Sequence, residues 1–274
     1  MIRSKKVILI LLLPFIALLH AGDTIQFPYT LTLKTEVPLI SSITLLDIIT
    51  NICYENQPAP TVSEIIALNS TDVNALDRTA TDNWSEEADL GSDILHHTSR
   101  YSPFLLTIPL LLKKQWYPAV TLSLMYVEAL SISGCLVSIT KSLTSRPRPY
   151  MYGSALTVEQ KEKKGKSGYR SFYSGHTSGA FCSAVFLSKV FSDMYPSSRF
   201  KGLMWGISMT AATTTGVLRY AAGKHFPTDI LMGACMGSLA GYLIRVSHKK
   251  RETAAVVFYP FIGGCSGIGV TVHL

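Results

Sequence analysis

The chain has 274 residues, 47% of them hydrophobic and only 16% charged. That is enough material for one substantial core, and too few charges for an ordinary soluble enzyme. The formal net charge of +7 does not point to nucleic acid, because Lys and Arg cluster at the ends of apolar blocks, with no basic helix and no aromatic-basic interleaving. Cys53, Cys135, Cys182, Cys235 and Cys265 show no C-x-x-C spacing, which favours small buried hydrophobes over a disulfide framework or a thiolate metal centre.

The N-terminus reads as a targeting segment. Lys5 and Lys6 precede an apolar run from Val7 to Leu19, and residues 1–21 fit either a cleaved signal peptide or a retained anchor. Residues 22–92 form a polar, acidic N-terminal region holding one apolar helix. That helix, over 37–54, either spans a membrane or lies along its surface, since Asp47 and Asn51 are expensive in lipid. In 55–100 the carboxylates outnumber the bases, so the stretch is expected to face solvent, with one or two short helices. His96 and His97 are expected to be a solvated pair within it.

From about residue 93 to 250 the pattern is that of an all-α helical bundle of five or six mostly transmembrane helices. Candidate spans are about 102–112, 118–139, 177–194, 202–218 and 228–246, the first one short, expected to begin earlier, around Asp93, and bent by Pro103 and Pro109. Small residues on the last two spans suit close packing in lipid. Residues 251–274 form a tail in which alternation around Gly263-Gly264 suggests a short β-hairpin.

If the spans alternate, Lys113-Lys114, Arg199 with Lys201, and Lys249-Lys250-Arg251 share one side, which the positive-inside rule makes cytoplasmic. Three chemically loaded segments then meet on the other side. The run from Lys161 to Lys166, also on that side, is read as a solvated loop.

The first segment carries Lys141 and Arg148, a point charge and a planar fork for phosphate oxygens, with Pro147 and Pro149 placing Arg148 on an extended turn. The second is Ser174-Gly175-His176. Its glycine admits a ligand close to the backbone, a helix beginning near Thr177 offers free N–H groups, and His176 stands where it can give a proton to a leaving alkoxide. The third joins Arg219 to His225 and Asp229. A helix starting near Pro227 sets the carboxylate beside the imidazole, an orienter and a nucleophile. Each piece alone is common; jointly and in order they point to phosphoryl transfer, which needs clustered cations, a nucleophile and an acid.

Lys141-x6-Arg148-Pro149, Ser174-Gly175-His176 and Arg219-x5-His225-x3-Asp229 together resemble the three-part signature of the type 2 phosphatidic acid phosphatase superfamily. That superfamily also includes bacterial nonspecific acid phosphatases and vanadium haloperoxidases. The resemblance covers about residues 93 to 246. It implies metal-independent hydrolysis of a phosphomonoester or diphosphate through a phosphohistidine. It also implies His225 as nucleophile, Asp229 as its orienter and His176 as general acid, with Lys141, Arg148, Ser174, Gly175 and Arg219 holding the phosphoryl oxygens. Tyr173 stands where the pattern has proline and Leu218 where it has serine.

The expected function is therefore that of a membrane enzyme, a phosphoric ester hydrolase acting on a lipid phosphate of phosphatidate, phosphatidylglycerophosphate, polyprenyl diphosphate or lipid A type. Its site is expected on the outer face of the cell membrane. No cofactor, no metal ligand and no nucleic-acid partner is expected. A soluble secreted acid phosphatase and a vanadate-dependent haloperoxidase are the alternatives. Tyr150, Tyr152, Tyr169, Phe172 and Tyr173 near the motifs are expected to form an interfacial aromatic belt rather than a substrate entrance.

Overall fold

The structure, a computed structural model, describes residues 25–250 and the backbone of 255–261 and 267–273. The targeting segment at 1–21 lies outside the described residues. Within them the fold is helical, built from α1 (Leu33–Asn56), α2 (Val62–Ala67), α3 (Ala75–Arg78), α4 (Glu86–Tyr101), α5 (Thr107–Leu112), α6 (Trp116–Thr144), α7 (Val158–Lys164), α8 (Gly175–Met194), α9 (Lys201–Ala221) and α10 (Pro227–Ser247). Strands β1 (Ala255–Phe261) and β2 (Gly267–His273) pair antiparallel, Ala255 opposite His273.

Three helical stretches, Leu33–Asn56, Trp116–Met151 and Pro227–Ser247, are long and apolar enough to cross a membrane. Helices α8 and α9, with 20 and 21 residues, have the length for about 30 Å of bilayer core at 1.5 Å per residue. The first span begins before residue 102, as expected, since residues 102–112 continue α4 through a 3-10 turn, Ser102–Leu106, into the six-residue α5. Pro103 and Pro109 lack the N–H groups that a regular helix would use there.

The helices alternate between two ends. At one, Gln57 after α1 donates to Ser142 O (2.7 Å), and Lys166 donates to Glu55 O (2.7 Å). At the other, Lys249 reaches Asp193 (3.6 Å), Thr30 N donates to His248 O (3.0 Å), and Leu31 N donates to the Tyr117 hydroxyl (3.4 Å). The core fills this second end with Leu106, Leu110, Leu122, Met125, Phe186, Phe191 and their neighbours.

The contact that shapes the first end is α8 against α10. Gly233, Gly237 and Gly241 recur every four residues on α10 and face the α8 backbone. A Cβ on Gly233 would lie 2.6 Å from Ser174 O, and one on Gly237 would collide with Ser178 O. Only bare Cα atoms let the two backbones come this close, the small-residue packing expected in lipid. The approach draws the start of α10 to the start of α8, where Ser174 N donates to Asp229 O (3.1 Å).

Candidate active site

Each of the three motifs sits at a helix end. Lys141 lies in the last turn of α6, which Ser145 closes in a left-handed conformation. The chain then runs extended through Arg148 into the 3-10 turn Pro149–Met151, as the flanking prolines require. Ser174 caps α8, its Oγ accepting from Thr177 N (3.4 Å) and bonded to Thr177 Oγ1 (2.8 Å). That hydroxyl, read from sequence as a phosphate donor, is thus engaged in capping. Gly175 faces the end of α6: a Cβ there would lie 3.2 Å from Val137 Cγ1 and 3.8 Å from Lys141 Nζ.

Arg219, in the last turn of α9, is buried. The turn to His225 passes through Gly223 at φ 66°, where a side chain would strike Asn83 O; this position demands glycine. Pro227 opens α10, and Asp229 Oδ2 accepts from Phe226 N (2.9 Å), closing the helix N-terminus. Asp229 Oδ2 lies 3.6 Å from His225 Nδ1, close enough for ion-pair attraction but longer than a hydrogen bond.

The structure brings Lys141, Arg148, His176, Arg219, His225 and Asp229 into one cluster. Arg148, Lys141, Arg219 and His176 all act electrostatically on His225. Lys141, Arg148, Gly175 and His176 are half-buried and form the mouth, while Ser174, Arg219, His225 and Asp229 form the buried floor. Burial first, and Arg148 and Lys141 after it, hold His225 well below its ordinary value, so its imidazole is neutral. His176 lies at the mouth, ahead of the apolar part of α8. Burial and then Arg219 push it down in the same way.

Among the described residues, neither Lys141 nor Arg148 has a carboxylate partner within salt-bridge distance, and the buried Arg148 Nε donates to no neighbour. Buried cations without counter-charges are costly, which makes this a place built for an anion. Arg170, packed 4.0 Å over the Tyr54 ring, adds to the positive field on Lys141.

The region expected to be solvated supplies the other half of the site. On α4, Asp89, Ser92, Asp93 and His96 share one helix face. Asp89 pairs with Arg219 (2.6 Å) and Lys224 (2.7 Å), and Asp93 with His176 Nε2 (2.9 Å) and Arg219 (3.3 Å). His96 is buried beneath the site, its Nδ1 3.1 Å from His176 O and its ring 4.5 Å from that of His176. Gly179 leaves the space: a Cβ there would stand 2.7 Å from His96 Cε1. His97 alone is exposed. The 3.6-residue period from 89 to 96 was the sequence signal that this face turns inward.

Arg146, Ser171 and Asp77 also belong to the site. Arg146 pairs with Asp229 Oδ1 (2.6 Å) and buried Asp77 (2.7 Å) and lies 4.1 Å over the Phe226 ring. Ser171 donates to Asp229 Oδ2 at 2.5 Å. The Lys161–Lys166 run is likewise not a solvated loop. It is mostly helix α7, begun by a Thr157–Gln160 capping box, and Lys161 is buried with its Nζ on Gly153 O (2.7 Å).

The aromatic belt is not where it was expected either. Tyr150 and Tyr173 are buried, Tyr150 edge-on to Trp84 at 5.5 Å. Leu218, in the pattern's serine position, packs its Cδ1 3.4 Å from the Cβ position of Gly91 on α4.

Residues 122–253 match the family model of the PAP2 superfamily. All three motifs, from Lys141 to Asp229, lie within that matched stretch. The chain is 27% identical over 134 residues to a probable diacylglycerol pyrophosphate phosphatase 1 of Schizosaccharomyces pombe, covering 41% of this chain and 48% of the relative. It is 28% identical over 129 residues to lipid phosphate phosphatase 1 of Arabidopsis thaliana, covering 40% and 39%. The chain thus spans half or less of the length of these curated relatives. The crystal structure of a transmembrane PAP2-type phosphatidylglycerolphosphate phosphatase from Bacillus subtilis overlays with a TM-score of 0.48 and 18% identity, over 75% of this chain and 94% of that one.

Proposed function

We propose that this membrane protein hydrolyses a lipid phosphomonoester or diphosphate through a phosphohistidine on His225. The observation that carries the reading is a neutral, buried His225 beside Arg148 and Lys141, two cations that no carboxylate neutralises among the described residues.

In this mechanism Asp229 faces Nδ1 of His225, so the Nε2 lone pair attacks phosphorus. Arg148, Lys141, Arg219 and the first N–H groups of α8 take the charge that builds on the equatorial oxygens. The bond from phosphorus to the leaving oxygen breaks as His176 protonates that oxygen. Burial and then its cationic neighbours push His176 toward neutrality; a phosphate bringing negative charge opposes both and arms it as an acid. Water then attacks phosphorus, His176 takes its proton, and the P–N bond breaks to free phosphate and restore neutral His225. The 3.6 Å gap to Asp229 closes when phosphorylation makes the imidazole cationic. The cage supplies its positive charge from side chains, so no metal is needed for the bond-breaking steps.

A lateral cleft of about 530 Å³ supports a lipid as substrate. Ile43, Thr44 and Asp47 of α1 line one wall, and Val127, Leu130 and Ser138 of α6 the other. It ends one helical turn from Lys141 and gives acyl chains a path along α6. The basic clusters at the opposite end support an outer-face site by the positive-inside rule.

The test uses detergent-purified protein with a panel of phosphatidate, phosphatidylglycerophosphate, polyprenyl diphosphate and lipid A, beside a soluble aryl phosphate. Turnover of at least one lipid in preference to the aryl ester is expected. Preference for the aryl ester would favour a nonspecific acid phosphatase, and halide oxidation with vanadate a haloperoxidase.

A further inference from the structure

At the end of the bundle opposite the phosphate cage, three ionisable side chains converge from parts of the chain far apart in sequence. Glu36 comes from the first turn of α1, Glu128 from the middle of α6, and His248 from the cap of α10. All three are buried, and one ligand-type atom from each lies within 4.8 Å of the others. His248 Nε2 is 3.1 Å from Glu36 Oε2 and 3.2 Å from Glu128 Oε2. Ligands held 2.0–2.1 Å from a tetrahedral ion stand about 3.3 Å apart, close to both separations.

The outer atoms are already fixed. His248 Nδ1 lies 2.8 Å from Ile244 O, which can only accept, so Nδ1 carries a proton and Nε2 is directed at the carboxylates. Glu36 Oε1 accepts from Thr32 N (3.1 Å) and Thr35 Oγ1 (2.9 Å), leaving Oε2 for the centre. Such outer hydrogen bonds are how proteins orient metal ligands. Glu128 is 2% exposed, and among the described residues neither of its oxygens accepts a hydrogen bond. The nearby cations are committed elsewhere, since Arg245 (2.5 Å) and Lys249 (3.6 Å) both pair with Asp193. One imidazole proton can bridge to only one carboxylate at a time, whereas a divalent ion balances both.

We propose that Glu36, Glu128 and His248 bind a divalent transition-metal ion, Zn2+ by preference, as a staple fastening α1 and α6 to the end of α10. One imidazole and two carboxylates suit Zn2+ with a fourth, exogenous ligand. Ionisable residues buried in membrane helices are expensive unless paired or put to use. Glu128 and Lys141 are thirteen residues apart on α6, about 20 Å along the helix, so this ion stands clear of the phosphate cage and takes no part in its chemistry.

The experiment uses full-length, tag-free protein in detergent, stripped with chelator and titrated with Co2+ as a spectroscopic stand-in for Zn2+. One equivalent is expected to give visible d–d bands without thiolate charge transfer, and Zn2+ should displace it. Zn2+ should also raise the thermal midpoint of wild type. Glu128→Gln and His248→Gln should lose the bands and the shift, while His225→Ala keeps both. Failure of wild type to bind Co2+ at micromolar concentration would overturn the proposal without any variant having to fold. So would thiolate bands, or binding that survives both substitutions.

Discussion

Asp93 stands where a phosphate oxygen would be expected: its carboxylate accepts from His176 and reaches Arg219. Because Asp93 is half-exposed, its competition with an incoming anion is worth only about 1 kcal/mol. Asp93→Asn should therefore tighten inhibition by inorganic phosphate about fivefold while lowering kcat, since His176 loses the partner that orients it. Unchanged phosphate inhibition would show that Asp93 does not compete for the cage. Arg146 presents the opposite case, because Asp77 and Asp229 are wholly buried beside it. Arg146→Met leaves two buried carboxylates uncompensated and should cost about 3–5 kcal/mol in stability, read as a large drop in thermal midpoint.

At the same scale, the sequence carried the cations and histidines of the cage, because they fall in spaced motifs with chemical meaning. It did not show Arg146, Asp89 or Asp93 as members. Those residues lie in polar stretches whose composition also fits a solvated loop; the helical spacing from Asp89 to His96 marks a shared face, and the packing of α4 against α9 turns it inward. Tyr150 and Tyr173 misled for a similar reason: an aromatic near a membrane edge has the same composition whether it faces lipid or core.

Among the elements, the contact between α8 and α10 decides whether the site exists. Gly237 faces Ser178 O with no room for a side chain. Gly237→Leu should push α10 off α8, separate Asp229 from Ser174 and abolish turnover, whereas the same substitution at Gly206, which has open space around it, should be silent. Equal activity of the two variants would remove the close approach from the account. Helix positions were readable from long apolar runs and from Pro227 and Ser174 at helix starts. The earlier start of the first span was readable too, but its break was not, since two prolines within an apolar run fit either a bent helix or a 3-10 turn between two shorter ones.

For the whole molecule, the alternation of helices puts the cage at one end and the basic clusters at the other, and the protein should stay in the membrane through an alkaline carbonate wash. Folding also carries a pH signature. His225 titrates below its ordinary value in the folded state, so below about pH 6.5 the unfolded chain takes up a proton that the folded chain refuses. Stability contributed at this position is present above that pH and is lost as the pH falls, without any loss on the alkaline side. The thermal midpoint of wild type should decline below about pH 6.5 more steeply than that of His225→Gln.

The account turns on a covalent bond between phosphorus and one ring nitrogen. Rapid quenching of purified enzyme with a 32P-labelled lipid phosphate, followed by alkaline gel analysis and peptide mapping, should find base-stable, acid-labile phosphate on the peptide holding His225. Label should be absent from His225→Ala, whose turnover should fall by roughly ten-thousandfold or more. Equal labelling of that variant, or full turnover without His225, would contradict the account.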